Sequence, residues 1–140
     1  MAQHNDTGHF GEDLAAGLLK QKGYSVLERN WTTGRLEVDI IAADSTDIVF
    51  AEVKTRSSRF GGKGPEEYVD ECKQRHICSA ADAYIRQKRI TLNPRFDIIG
   101  ITVDPKTNEV TDINHIESAF YPPMKTYGGK RTACKSGKTL

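Results

Sequence analysis

A chain of 140 residues, 37% of them apolar, has material for one domain around a single small sheet, and it excludes a multidomain assembly and a membrane span. Its net charge of +1 excludes an argument from bulk electrostatics, although residues 121–140 hold five basic side chains and no acidic one, leaving +5 there and −4 on the rest. The three cysteines, Cys72, Cys78 and Cys134, lack CxxC spacing, which excludes a disulfide frame or zinc site and reads as reduced thiols of a cytoplasmic protein.

Residues Met1 to Asp6 are expected to be loose, and the polar stretch Met1 to Gly8 has no signal-peptide apolar region. A helix is expected from Thr7, or from Gly8 or Gly11, to about Lys22, with Gly23 ending it. Phe10, Leu14, Ala15, Leu18 and Leu19 form its apolar arc. Glu12 lies beside that arc, followed at helical spacing by Ala15, Ala16 and Leu19. In the first turn its carboxylate complements the helix dipole, which is the plainest role for it. The small neighbours let this end of the helix approach a sheet closely.

Tyr24 to Trp31 alternates as a strand, and Thr32, Thr33 and Gly34 turn the chain. Two further strands follow, Leu36 to Ala43 and Asp47 to Thr55, joined by a short connection, so that the three make an antiparallel meander. In the second of these, Glu52 and Lys54 share a face with Ile48 and Phe50, while Val49, Ala51 and Val53 take the other. A strand apolar on both sides is a central one, where an ionised group is costly unless it is paired or bound to a metal. Paired strands lie about 4.8 Å apart, which brings Asp39 within reach of Glu52.

Ser57 to Pro65 is a glycine-rich connection without phosphate-loop spacing. It reads as a flexible linker, but Arg56, Arg59 and Lys63 leave directly from the candidate site and suit a polyanion. Pro65 is placed at the first position of a long helix reaching about Lys88, with Glu66 and Glu67 in its first turn. Val69, Cys72, His76, Ala80, Ala83 and Tyr84 form its buried stripe, with His76 a core histidine and Arg75 on a solvated face. Phe96 to Val103 is a buried strand beside the hairpin, and Val110 to Ile116 a more polar edge strand. The class is therefore α/β: a mixed central sheet of about five strands flanked by two main helices over residues 1–120, then a basic, disordered tail over 121–140.

Asp39, Glu52 and Lys54 on one rim of a sheet suit phosphate chemistry. Cleaving a phosphodiester needs an attacking water, charge neutralisation at phosphorus and help for the leaving oxygen. A hard cation such as Mg²⁺ or Mn²⁺ meets much of this and prefers oxygen ligands. Asp39 and Glu52 are candidate ligands, joined by the Ala51 or Val53 carbonyl, and their mutual repulsion holds one carboxyl partly protonated without the cation. Lys54 is placed to orient the water or to stabilise the phosphoryl charge. The plainer alternative is a surface hairpin with a cross-strand salt bridge, against which the apolar neighbours of Glu52 argue.

The order helix, three-stranded meander, helix, strand, with Asp39 and Glu52-Val53-Lys54, resembles the PD-(D/E)xK nuclease superfamily. More narrowly it resembles the bacterial YraN-type family, itself similar to archaeal Holliday-junction resolvases. The matching pieces are Gly8-x-x-Gly11-Glu12-x-x-Ala15-Ala16, Asn30-Trp31, Glu37 to Ile41, Val49 to Lys54 with Arg56, Gly64-Pro65-Glu66 with Lys73, and Arg95 to Ile99. Val38 precedes Asp39 where the superfamily's name has proline, and Leu36 stands where glycine is expected. The resemblance implies a restriction-endonuclease-like core and a divalent-metal-dependent endonuclease acting on DNA, with branched recombination or repair intermediates among the expected substrates. It makes Asp39, Glu52 and Lys54 catalytic, with Glu12 the acidic helix residue, and it makes Asp39, Glu52 and Glu12 the metal set. Arg56, Arg59, Lys63 and Lys73 become nucleic-acid contacts, and a homodimer follows from the two-fold symmetry of a junction. Glu37 is an auxiliary ligand or a partner of Arg56. Two other readings stay open: a non-catalytic nucleic-acid-binding module, and a protein-interaction module with a vestigial site.

Overall fold

The computed structural model describes residues 3–57 and 69–122, with side chains from Phe10 onward. Helix α1 (Gln3–Gln21) is followed by β1 (Ser25–Thr33), β2 (Leu36–Ala43), β3 (Asp47–Ser57), α2 (Glu71–Lys88), β4 (Asn93–Val103) and β5 (Val110–Phe120). The sheet order is β1-β2-β3-β4-β5. β1 to β3 form the antiparallel meander, β4 joins β3 in parallel through α2, and β5 returns antiparallel at the edge. This is an α/β fold with a mixed five-stranded sheet and two helices. Among the described residues no helix is long and apolar enough to cross a membrane. Arg59, Lys63, Pro65, Glu66, Glu67 and the basic stretch beyond Pro122 lie outside the described residues.

Each helix covers one face. Ala15, Ala16 and Leu19 of α1 pack on Ile40, Ala42, Val49, Ala51, Ile99 and Ile101. On the other face Ile77, Ala80, Ala81 and Tyr84 of α2 pack on Val38, Ile41, Ile48, Phe50, Phe96 and Ile98. β3 and β4 are thus covered on both sides, as parallel neighbours require. A row of rings crosses the second face: Trp31 against Tyr84 at 5.1 Å, Tyr84 to Phe50 at 6.1 Å, Phe50 to Phe96 at 5.7 Å and Phe96 to Phe120 at 5.4 Å.

Several local expectations shift. α1 begins at Gln3, because no glycine or proline before Gly8 stops the helix from propagating. Phe10 is exposed, and Ala15, Ala16 and Leu19 form the buried face turned to the sheet. A Cβ at Gly11 would stand 2.4 Å from Thr55 Oγ1, so only glycine lets α1 lie this close to β3. Thr32 and Thr33 continue β1, leaving Gly34 (φ 58°) and Arg35 as the turn. α2 starts at Glu71, not in the first turn after Pro65, because the Asp70 carboxylate accepts the Lys73 backbone N–H at 2.8 Å and caps the helix there. The stripe rotates accordingly: Ile77 takes the core position, and His76, Cys72 and Ala83 are only half-buried.

A polar knot ties β4 to its neighbours. Asp97, fully buried, accepts two bonds from Arg95 at 2.9 and 2.8 Å, one from His115 Nε2 at 2.7 Å and one from the Ser118 N–H at 3.1 Å. Arg95 also reaches Asp47 at 3.5 Å and lies over the Tyr24 ring at 5.3 Å. Burial alone would raise the Asp97 pKa, but its bonds from His115, Arg95 and Ser118 hold it below the ordinary carboxylate value.

Candidate functional site

The site lies where the β2–β3 ladder opens. Paired residues run from Ala43↔Ile48 to Ile40↔Ala51 and stop, so Asp39 and Glu52 stand next in line at the mouth of a fork. On its other side β2 pairs Arg29↔Ile40 and Trp31↔Val38, skipping the position where Asn30 meets Asp39. Both strands exchange faces at that skipped pair. Ile40 packs toward α1 but Val38 toward α2, although regular alternation would put them together. Asp39 is left between the two faces, and its Oδ2 accepts the Val53 N–H of β3 at 2.9 Å.

Glu52 shares the α2 face with Phe50, as the alternation requires, and is only 4% exposed. Two ammonium groups meet its Oε2: Lys54 Nζ at 3.5 Å and Lys73 Nζ at 3.6 Å. The first comes from the same strand. The second arrives from α2, whose start at the Asp70 cap fixes Lys73 in the first turn. A buried carboxylate with two partners is not an isolated charge, which accounts for its tolerance in a central strand.

Glu12 approaches from the opposite face, where Gly11 allows α1 to close on β3. Its Oε1 accepts from Asn30 Nδ2 at 3.0 Å and lies 3.9 Å from Arg29, whose guanidinium also holds Asp13 at 2.7 Å.

Asp39 is pushed up from its ordinary value of 3.8 to about 7. Burial is the main cause, followed by the Glu52 charge; the Val53 N–H opposes them, and Glu12 and the exposed Glu37 add smaller repulsions. The donor set is all carboxylate oxygen with excess negative charge, the chemistry of a hard divalent cation. Asp39 and Glu52 fit that role. Among the described residues, however, no three carboxylate, imidazole or thiol groups stand together as a ready metal cage, and Glu12 is engaged by Asn30 and Arg29.

The structure therefore brings Asp39, Glu52, Lys54 and Lys73 together, with Glu12 beside them. Arg56 lies further along β3, in register with Thr102. Cys78 stands apart on α2, where burial pushes its thiol up to about 11, away from the thiolate form that a nucleophile needs. The sequence made Lys73 a nucleic-acid contact and gave Asn30 a place in the matching pieces but no role. The Lys73–Glu52 contact depends on where α2 starts. Asn30 left one signal, an asparagine inside a strand, a residue type that strands disfavour and that tolerates left-handed backbone.

A family model described as "Uncharacterised protein family UPF0102" matches residues 11–101, which span α1 from Gly11, the fork, α2 and most of β4. A UPF0102 protein of Phocaeicola vulgatus is 46% identical over 125 residues, covering 89% of this chain and 99% of its own. One from Bacteroides thetaiotaomicron is 43% identical over 124 residues, covering 89% and 99%. Another from Flavobacterium psychrophilum is 44% identical over 121 residues, covering 86% and 98%. Matches of this extent run through every element that builds the fork, and on them the chain belongs to the UPF0102 (YraN) family.

Proposed function

We propose that this protein is a divalent-metal-dependent endonuclease of the PD-(D/E)xK superfamily, with a restriction-endonuclease-like core, that hydrolyses phosphodiester bonds of DNA in the cytoplasm. Branched intermediates of recombination or repair are its proposed substrates. The observation that carries this reading is the Asp39–Glu52 pair: a carboxyl pushed up to about 7 beside a buried glutamate that two lysines approach at 3.5 and 3.6 Å. Asp39 and Glu52 would hold Mg²⁺ or Mn²⁺. When bound, such an ion supplies charge neutralisation and Lewis acidity at the phosphoryl group. Lys54, at the mouth of the fork, orients the attacking water or steadies the developing negative charge. Lys73 holds Glu52 in place and adds positive charge toward the DNA backbone. A homodimer would present two such sites to the two-fold symmetric junction.

The test is a panel of linear and branched DNA incubated with Mg²⁺ or Mn²⁺ and the wild type, Glu52→Ala or Lys54→Ala. Metal-dependent cleavage by the wild type should fall on the order of 10²–10³-fold in each variant. Equal cleavage by the variants would trace the activity to a contaminant and remove the assignment.

The lack of a ready three-ligand cage among the described residues favours a second reading, a non-catalytic nucleic-acid-binding module. It predicts DNA binding that weakens steeply with salt and no cleavage with either metal.

A further inference from the structure

Asn30 lies in the middle of β1 with φ 52°, left-handed backbone that a non-glycine residue rarely adopts inside a strand. The consequence is visible in its neighbours. Glu28 faces α2, accepting from Tyr84 Oη at 3.3 Å. Arg29 faces α1, on Asp13 and Glu12. Asn30 also faces α1, on Glu12, and Trp31 returns to α2 beside Tyr84. Two consecutive side chains thus point to one face, against the two-residue period of a strand, and both converge on the same carboxylate. The register across β1 and β2 is the same on both sides of the irregularity, so no residue is inserted; the exchange of faces in β1 is matched by the exchange at Asp39 in β2.

We propose that Asn30 is a positioning residue of the metal site: its left-handed backbone turns its amide onto Glu12 and fixes that carboxylate beside Asp39. This rests on the reading of Asp39 and Glu52 as cation ligands. Glu12 then acts from the outer layer, where its charge already reaches Asp39. The amide decides which way the Glu12 oxygens face. Outer-layer partners of this kind typically contribute 10–100-fold to metal affinity. Left-handed backbone held at a non-glycine position inside a strand marks a place where geometry serves something other than stability. Asparagine meets both demands at once, since it tolerates left-handed backbone and its amide donates.

Two variants separate the backbone from the amide. Asn30→Gly keeps left-handed backbone available and removes the donor, whereas Asn30→Asp keeps the shape and sets a second carboxylate against Glu12. The readout is Mn²⁺ affinity, measured by calorimetry and by fluorescence of Trp31, the one tryptophan in the chain. Urea denaturation checks that the fold is kept. Asn30→Gly should unfold at nearly the wild-type urea concentration and bind Mn²⁺ about 10-fold more weakly. Asn30→Asp should also be folded and should bind at least as weakly as Asn30→Gly, because the donor that fixed Glu12 becomes an acceptor that repels it. Where cleavage is observed, the loss should appear at subsaturating metal and be recovered at saturating metal, with KM for DNA unchanged. Wild-type affinity in Asn30→Gly would overturn the assignment of Asn30 while leaving the metal reading intact. Absence of Mn²⁺ binding by the wild type would overturn both.

Discussion

Asp39 and Asp97 are both carboxylates drawn into the same sheet, and they are treated in opposite ways. Asp97 has four hydrogen bonds, from Arg95, His115 and the Ser118 N–H, and its pKa is held down. Asp39 has the Val53 N–H, and burial, followed by the charges of Glu52, Glu12 and Glu37, pushes its pKa up to about 7. The difference separates a knot that holds β3, β4 and β5 together from a site where like charges are kept close to a buried carboxyl. A fold gains nothing from keeping Glu12, Glu37, Asp39 and Glu52 close enough to repel one another, and such unresolved repulsion is where function is expected.

The largest expected effect breaks the knot. Asp97→Ala should cost about 3–5 kcal/mol, since it leaves the Arg95 guanidinium and the His115 ring without their buried partner. Urea denaturation measures this, and a loss under about 1 kcal/mol would show that Asp97 is not the centre of that network. Its pH dependence has a definite sign. The folded pKa is depressed, so its contribution is present above the unfolded value and is lost as pH falls through the folded one.

The next effect is at the approach of α1. Gly11→Ala places a methyl against Thr55 Oγ1, and the helix or the threonine must shift. A loss of about 1–3 kcal/mol is expected. The companion Thr55→Ser still presents the hydroxyl, whereas Thr55→Gly in the Gly11→Ala background should recover part of the loss. Failure of that recovery would place the strain elsewhere.

Asp39→Asn should move stability the other way. Between 3.8 and about 7 the folded protein keeps a proton that the unfolded chain has released, so wild-type stability falls as pH rises through that window and levels off above it. The variant lacks this slope. It should be more stable than the wild type by on the order of 2 kcal/mol at pH 8 and gain little near pH 4. Saturating Mg²⁺ should narrow the gap by stabilising the wild type alone. An equal gain at both pH values would mean that the cost of ionising Asp39 in its buried place is not its source. Asp39 and Asp97 thus give stability slopes of opposite sign, which one set of pH-dependent denaturation curves compares directly.

The sequence made the sheet legible because its period is short and its apolar runs are strong. The bounds of β2 follow from Leu36 to Ala43, and the two-sided apolar character of β3 places it in the centre. The Glu52 face was legible for the same reason. The fork at Asp39 was not, since a face exchange without an inserted residue leaves the sequence spacing unchanged. Nor was the Lys73–Glu52 contact: Pro65 and Asp70 both carry helix-start chemistry, and only the bond from the Lys73 N–H to Asp70 distinguishes them. The Asp97 knot was hidden because its partners, Arg95, His115 and Ser118, are scattered over two strands and their register decides that they meet.

The smallest effect concerns the rim of each cluster, where a lysine stands half in solvent. Lys22 stands 4.0 Å from Glu117 Oε2 at the edge of the knot, with side chains 38% and 52% exposed. Water can take its place, so Lys22→Met should cost no more than about 0.5 kcal/mol, and the loss should vanish in high salt. Lys73 is as exposed, at 39%, but its partner Glu52 is buried. Water replaces it less well there, and the Glu52 charge that Lys73 offsets is the same charge that raises Asp39. Lys73→Met should therefore cost more, about 1 kcal/mol, and keep most of that loss in salt. Two exposed lysines with equal, salt-sensitive losses would mean that the burial of Glu52 does not distinguish the fork from an ordinary surface pair.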